Sequence, residues 1–304
     1  MWIMFTKNRY ESEELRILKA LNKRMDLPDK EKQYFSNLQK GFEGELMFDG
    51  YLQRIVIQSY ILNDLLFEHN HSHFQIDSLM ISQYLTYLFE VKNFEGEYYF
   101  DGDTFKKING NEVKNPLLQL ERNVSLLRQF FISIGFKTPI EAYLVFVNPD
   151  FTLYQAPLNS RIILPTNLNR FIHQMNNQKS TLNIQHSRLS EKLLSSHLTK
   201  SPFTKILPYE YAQLRKGVFC HSCGTVMEEY HGREIICKSC AVKENTKNAM
   251  LSCVKEFNVL YPQEKLSTNI IYEWCGGLFP KKTIRQVMKE NFIISGYGQW
   301  SYYE

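Results

Sequence analysis

Apolar positions along this chain follow two rhythms, one of about 3.6 residues and one of 2, which sort it into helices and strands. Leu15, Ile17, Leu18 and Leu21 make one stripe over Glu11–Arg24, which predicts an amphipathic helix broken by Asp26-Leu27-Pro28. A second helical rhythm runs from Asp29 to about Val56 through Tyr34, Phe35, Leu38, Phe42, Leu46, Phe48, Leu52 and Ile55. Gly41 and Gly44 lie inside it, each weakening a helix by about 1 kcal/mol. They imply a break, a close contact with a sheet, or an approach of Glu45 to a site. Ile57–Leu66 reads as a strand, and His69, His71 and His73 as a solvated turn rather than a metal set. Phe74–Ile81 and Tyr84–Asn93 then read as the paired strands of a hairpin.

A meander is expected over Asn93–Gly110, with turns at Asp101-Gly102-Asp103 and Asn109-Gly110-Asn111. Asn115-Pro116 stops it, and Leu117–Ile134 is predicted as a helix closed by Gly135, with Leu117, Leu120, Val124, Leu127, Phe130 and Phe131 facing inward. Ile140–Val147 is almost continuously apolar, the pattern of a strand covered on both faces. A short strand at Phe151–Tyr154 and helices at Leu168–Met175 and Ser187–Leu198 follow, with a boundary near Lys200-Ser201-Pro202. Beyond it come a helix at Asn248–Leu260, a second over Ser267–Gly276 and a basic one over Pro280–Lys289. Phe292–Ile294 and Trp300–Tyr303 read as a small hairpin around Gly296-Tyr297-Gly298. Helix, turn, basic helix and hairpin is the order of a helix-turn-helix with a wing. The plainer reading of that segment is a structural cap.

Composition adds size and charge. With 304 residues, 43% of them hydrophobic and 14% aromatic, the chain can build sizeable cores and about two domains. Its formal charge of +4 is carried by Lys200–Glu304, which holds 14 Lys/Arg against 10 Asp/Glu; this mildly favours a polyanionic partner. The opening Met1–Phe5 is too short for a signal-peptide core, and no run approaches a membrane helix. Four of the six cysteines fall in two C-x2-C pairs, which points to a metal site in a reducing compartment, hence a cytoplasmic protein without membrane contact.

Two constellations carry chemistry. In the hairpin, Glu90 and Lys92 share one strand face, and Asp77 on the partner strand can lie beside them. Two carboxylates and an ammonium among apolar neighbours suit a divalent ion, Mg²⁺ or Mn²⁺, held by Asp77 and Glu90 with Lys92 beside it. Glu45 and Gln119 are placed to support such a site. The plainer reading is a strand face with one surface ion pair. The second constellation is Cys220, Cys223, Cys237 and Cys240, spaced C-x2-C-x13-C-x2-C, which fits one structural Zn²⁺ with a closed sphere of four thiolates. His221 lies inside the first knuckle and is not expected to ligate. Cys253 and Cys275 read as buried small hydrophobes.

Gly41-x-x-Gly44-Glu45, Phe74-Gln75-Ile76-Asp77, Glu90-Val91-Lys92-Asn93 with Gly96, and Asn115-Pro116-x-x-Gln119 occur in the order seen in the nuclease-related domain (NERD) family. From Phe35 to Tyr154 the chain resembles that family, which is placed in the PD-(D/E)xK nuclease superfamily. The N-terminal helices and the zinc-ribbon tail beginning Gly217-Val218-Phe219-Cys220 resemble bacterial members, especially those of Gram-positive bacilli. The resemblance implies an α/β fold, with a mixed sheet flanked by helices as in restriction endonucleases. It also implies a Mg²⁺-dependent nuclease site in which Asp77 and Glu90 match the metal-binding acids, Lys92 the catalytic lysine, and Glu45 and Gln119 supporting positions. Ile76 stands where the superfamily usually has proline. The expected organisation is a helical lead-in over 1–34, a nuclease-related domain over 35–155, a helical connector over 156–201, a zinc ribbon over 202–245 and a winged-helix-like segment over 246–304. The function expected is hydrolysis of phosphodiester bonds, in DNA, with the tail binding nucleic acid. The alternative is a non-catalytic nucleic-acid-binding or regulatory protein that retains the fold.

Overall fold

The computed structural model describes residues 3–158, 161–298 and 301–304. Its first elements are β1 (Ile3–Lys7), α1 (Glu13–Arg24) and α2 (Asp29–Leu52). Ser12 caps α1, its side chain accepting from the Leu15 N–H at 3.1 Å. The chain folds into two compact units, one of Met1–Glu11 with Asn37–Phe203, the other of Ser12–Ser36 with Thr204–Glu304.

The first unit is built on β2 (Ser59–His69), β3 (Ser72–Ile81), β4 (Thr86–Lys92), β5 (Gly96–Asp101), β6 (Thr104–Lys107), β7 (Glu112–Val113), α3 (Pro116–Ser133), β8 (Ile140–Phe146), β9 (Phe151–Tyr154), β10 (Ile162–Ile163), α4 (Leu168–Asn176) and α5 (Ile184–Ser196). Six strands form a mixed sheet in the order β1-β2-β3-β4-β8-β10. The run β2–β3–β4 is antiparallel, whereas β1 on β2, β8 on β4 and β10 on β8 are parallel. Helices cover both faces. Leu120, Val124, Leu127 and Phe131 of α3 and Leu189 and Leu193 of α5 pack with Leu65, Leu88 and Leu144 on one side. Phe48 and Leu52 of α2 and Leu168, Phe171 and Ile172 of α4 pack with Ile61, Phe89 and Val145 on the other. This is the mixed α/β architecture expected. A second sheet, β7-β6-β5-β9, adds Tyr98, Phe100 and Phe105 to the α3 side.

Several details differ from the sequence rhythm. Helix α2 runs unbroken through both glycines and stops at Leu52, short of the expected Val56. Leu46, counted among its apolar positions, is exposed, because the stripe covered by the sheet is only Gly44, Phe48, Asp49 and Leu52. The strand β10 was not foreseen; two residues are too few to show a period.

The second unit packs Ile17, Ala20 and Leu21 of α1 with Val254 and Phe257 of α6 (Thr246–Leu260). Just before α6 in sequence lie five short strands. Of these, β11 (Val218–Phe219) pairs with β12 (Val226–Met227), and β13 (Glu229–Tyr230), β14 (Glu234–Ile236) and β15 (Lys243–Asn245) form an antiparallel sheet. Arg24, fully buried, ties the unit together: it bonds Glu256 at 2.6 Å, bonds the carbonyl oxygens of Arg215 and Gly217, and lies 3.7 Å from the Trp274 ring centroid. After α6 come α7 (Thr268–Trp274), α8 (Lys281–Asn291), β16 (Ile294–Ser295) and β17 (Tyr302–Tyr303). The strands β16 and β17 pair antiparallel, and Leu266, just before α7, bridges to Tyr303. That bridge adds a third backbone segment to the hairpin at one point. Of the strand expected over Trp300–Tyr303, Trp300 lies outside the described residues.

Candidate active site and metal centre

The acid site forms where the regular ladders of β3 give way. On one side, β2 and β3 keep one register, Asn63↔Ser78 and Leu65↔Ile76, but the intervening Asp64 adopts a left-handed conformation (φ +52°) and forms no ladder pair with Asp77. On the other side, the β3–β4 ladder runs from Ile81↔Thr86 to Ser78↔Phe89 and stops. Beyond it the Asp77 side chain substitutes for backbone, its Oδ2 accepting from the Val91 N–H at 2.8 Å. Asp77 and Glu90 are thus brought to the same end of the hairpin, buried, with 8% and 1% of their surface exposed.

Glu90 is held by helix α3 as well as by its own strand. Asn115 caps that helix by accepting from the Leu117 N–H at 2.9 Å, and Pro116 opens its first turn. One turn in, Gln119 donates to Glu90 Oε1; a further turn on, Asn123 donates to Glu90 Oε2 at 3.1 Å. The Lys92 ammonium donates to Glu90 Oε1 at 2.7 Å and to Gln119 Oε1 at 3.3 Å.

Glu45 enters from α2. Gly44 makes this approach possible: a Cβ there would sit 2.4 Å from Asn93 Cβ, whereas one at Gly41 would meet nothing within 4 Å. Asn93 in turn donates to the Lys40 carbonyl at 2.7 Å, so the helix lies directly on the end of β4. Arg9, on the segment after β1, donates to Glu45 Oε2 at 2.5 Å and to Asp49 at 3.0 and 3.2 Å.

Burial and mutual repulsion perturb these groups. Burial first, then the Asp77 charge, push Glu45 up to about 8 and Glu90 up to about 7. Burial also raises Asp77, against the pull of Lys92 and the Val91 hydrogen bond. For Lys92, burial alone would lower the ammonium, but Glu90 and Asp77 outweigh it and hold it above its ordinary value. Four carboxylates, Glu45, Asp49, Asp77 and Glu90, share two cations, Arg9 and Lys92. Fully ionised, the cluster keeps two unmatched negative charges on hard oxygen donors, the complement of one divalent cation. The carboxylates are looser than a formed metal cage: among the described residues, the four cysteines are the group of three or more ligand-type side chains whose atoms lie within 4.8 Å of one another.

Those cysteines sit on two like-built knuckles. The Cys220 N–H donates to the Thr225 carbonyl and the Gly224 N–H to the Cys220 carbonyl; the Cys237 N–H and Ala241 N–H make the equivalent bonds in the second. Gly224 and Ala241 occupy equivalent left-handed positions, φ +74° and +57°. The Sγ atoms of Cys220 and Cys240 lie 3.6 Å apart, and those of Cys223 and Cys237 3.5 Å. A tetrahedron with Zn–S bonds of 2.3 Å has edges of roughly 3.8 Å, so the cluster fits a zinc ribbon with little adjustment. Without a cation the thiols compete. Hydrogen bonds from Thr225 bring Cys223 down to about 6. In Cys240 a hydrogen bond from Val242 is outweighed by burial and the neighbouring sulfurs, and the thiol rises to about 12. Cys253 and Cys275 are buried in the core of the second unit, as expected.

Sequence reading alone passed over Arg9, Asp49 and Asn123. Asn123 lies four residues after Gln119 on the same helical face, so helix spacing points to it. Arg9 has no local signal, since all its partners lie 36 or more residues away.

Residues 40–147 match the family model of the nuclease-related domain. The match falls within the Phe35–Tyr154 span of the resemblance and contains Glu45, Asp77, Glu90, Lys92 and Gln119; Arg9 and the cysteines lie outside it. No curated protein and no solved structure matches the chain. No described helix is long and apolar enough to cross a membrane.

Proposed function

We propose that this chain is a metal-dependent nuclease that hydrolyses phosphodiester bonds in DNA, with its active site at Asp77, Glu90 and Lys92. The observation that carries the reading is the buried cluster of four carboxylates around two cations, most of it lying inside a stretch that matches the nuclease-related domain. Asp77 Oδ1 and Glu45 Oε1 are left free by the hydrogen bonds to their partner oxygens, and with Glu90 they are the atoms that would hold Mg²⁺ or Mn²⁺. The chemistry such an ion supplies when bound is neutralisation of phosphate charge and activation of a water molecule. The rest falls to the chain's own residues. Lys92, kept protonated by Glu90 and Asp77, has two of its three donors committed to Glu90 and Gln119. Its third donor is available to a phosphoryl oxygen, where it stabilises the charge that develops in the transition state. Gln119 orients both Glu90 and Lys92, and Asn123 fixes the other oxygen of Glu90.

On this reading residues 35–155 are the catalytic domain, and residues 202–245 are a ribbon holding one structural Zn²⁺. Residues 246–304 are then a winged-helix-like nucleic-acid-binding segment. Support for the last comes from α8, which buries Ile284, Val287 and Met288 and exposes Lys282, Arg285 and Lys289. The same face favours the second reading, a nucleic-acid-binding protein that does not cut. Incubation of the purified protein with plasmid DNA and Mn²⁺ separates them: cleavage is expected to fall at least about 100-fold in Lys92→Ala while DNA binding persists. Equal traces of cleavage in wild type and Lys92→Ala would refute the enzyme.

A further inference from the structure

The acid site is assembled from residues within the matched stretch, yet its geometry is fixed from outside it. Arg9 is buried, 8% exposed, and each of its three guanidinium nitrogens donates to α2 or β3. One edge forms a fork with Asp49, Nε to Oδ2 at 3.0 Å and Nη2 to Oδ1 at 3.2 Å. With the fork fixed by Asp49, Nη1 reaches Glu45 Oε2 at 2.5 Å, and Nη2 reaches the Asp77 carbonyl at 2.7 Å and Ser78 Oγ at 2.9 Å. The Asp77 carbonyl needs that donor because the left-handed Asp64 breaks its pairing with β2. The same kink is held from the N-terminal segment too, by Lys7 donating to the Asn63 and Asp64 carbonyls at 2.9 and 2.7 Å.

We propose that Arg9 is the positioning residue of the acid site: anchored on Asp49, it sets Glu45 from α2 and the backbone of Asp77 from β3 at a fixed separation, and so preforms the divalent-metal site. This rests on the reading of Asp77, Glu90 and Glu45 as metal-holding groups. A lysine at position 9 keeps the positive charge but lacks the planar fork, so it cannot serve Asp49, Glu45 and the Asp77 carbonyl together. Any loss in Arg9→Lys therefore reads geometry rather than net charge.

The test measures Mn²⁺ binding to the full-length protein without DNA, by calorimetry or by the electron paramagnetic resonance of free Mn²⁺, beside near-ultraviolet circular dichroism for folding. Arg9→Lys is expected to remain folded and to bind Mn²⁺ about 10-fold more weakly, the size of loss seen when groups that orient metal ligands are removed. Because Arg9 acts partly through Glu45 and partly through the Asp77 backbone, the extra loss should be smaller, about 3-fold rather than 10-fold, when Arg9→Lys is added to Glu45→Gln. Should Arg9→Lys not fold, Asp49→Asn, which loosens one arm of the fork, carries the same expectation and the same reduced loss in the Glu45→Gln background. Wild-type Mn²⁺ affinity in a folded Arg9→Lys, or full additivity with Glu45→Gln, would overturn the role of Arg9. Wild-type protein that binds no Mn²⁺ at all would instead overturn the metal reading beneath it.

Discussion

Gly41 and Gly44 occupy the same helix three residues apart, and the structure assigns them opposite fates on substitution by alanine. An alanine in a helix interior is about 1 kcal/mol better than glycine, mainly because the unfolded chain has less freedom to lose. At Gly41 nothing lies within 4 Å of the new Cβ, so Gly41→Ala should collect that full amount. At Gly44 the new Cβ would meet Asn93 Cβ at 2.4 Å and Cγ at 3.0 Å. A Cβ has no rotamer by which to move away, so relief requires α2 or the end of β4 to shift. Overpacking of this kind costs about 1–3 kcal/mol, and a backbone-anchored clash belongs at the upper end. Offset by the helix gain, Gly44→Ala should destabilise by about 2 kcal/mol. For a unit of this size about 1 kcal/mol moves the melting temperature by roughly 2–4 °C. Thermal unfolding followed by far-ultraviolet circular dichroism should thus show Gly41→Ala melting about 2–4 °C above wild type and Gly44→Ala about 4–8 °C below it. Gly44→Ala should also lower the proposed nuclease activity, since α2 carries Glu45 and the end of β4 carries Lys92, and one of the two must shift. Two variants that both stabilise would refute the close approach of α2 to Asn93.

Three further outcomes are expected. Glu45 and Glu90 have their folded pKa values raised to about 8 and about 7, so the stability they contribute is complete below about pH 4.5 and is lost as pH rises through those values. Melting of metal-free protein should therefore fall between pH 5 and 8, with Mn²⁺ reducing the slope; the same pH curve in a Glu45→Gln/Glu90→Gln variant would contradict this. Metal analysis of protein purified without added zinc should find about one zinc per chain, absent when Cys220, Cys223, Cys237 and Cys240 are all replaced by serine. Lys282→Ala, Arg285→Ala and Lys289→Ala should each weaken DNA binding and lower the slope of log affinity against log salt by about 1; unchanged slopes would move the DNA contact away from α8.

The hairpin of β3 and β4 was legible because a period of 2 and the small break at Ser82-Gln83 suffice to put Asp77 near Glu90 and Lys92. The helices were legible for the same reason, and cysteine spacing alone located the cluster that fits zinc. What the sequence could not express was which partner an apolar face would choose. The stripe on α1 announces a helix, but nothing in it says that Ile17, Ala20 and Leu21 will pack with residues more than 200 positions later. Leu46 failed for a related reason: a list of apolar positions at helical spacing is wider than the strip a sheet covers. Arg9 was invisible because a charged residue following a short apolar run looks like surface. Its burial is decided by Asp49 and by a carbonyl that only the kink at Asp64 leaves open.

That Asp77 completes the sheet with its own side chain has an evolutionary consequence. Alanine at this position leaves the buried Val91 N–H without an acceptor, at a cost of about 1–3 kcal/mol, whereas asparagine keeps an oxygen there. A lineage with no use for catalysis would still be under selection for an acceptor at position 77. An intact aspartate in a diverged copy is then poor testimony to a working enzyme. For the same reason Asp77→Asn, rather than alanine, is the substitution that separates chemistry from scaffold.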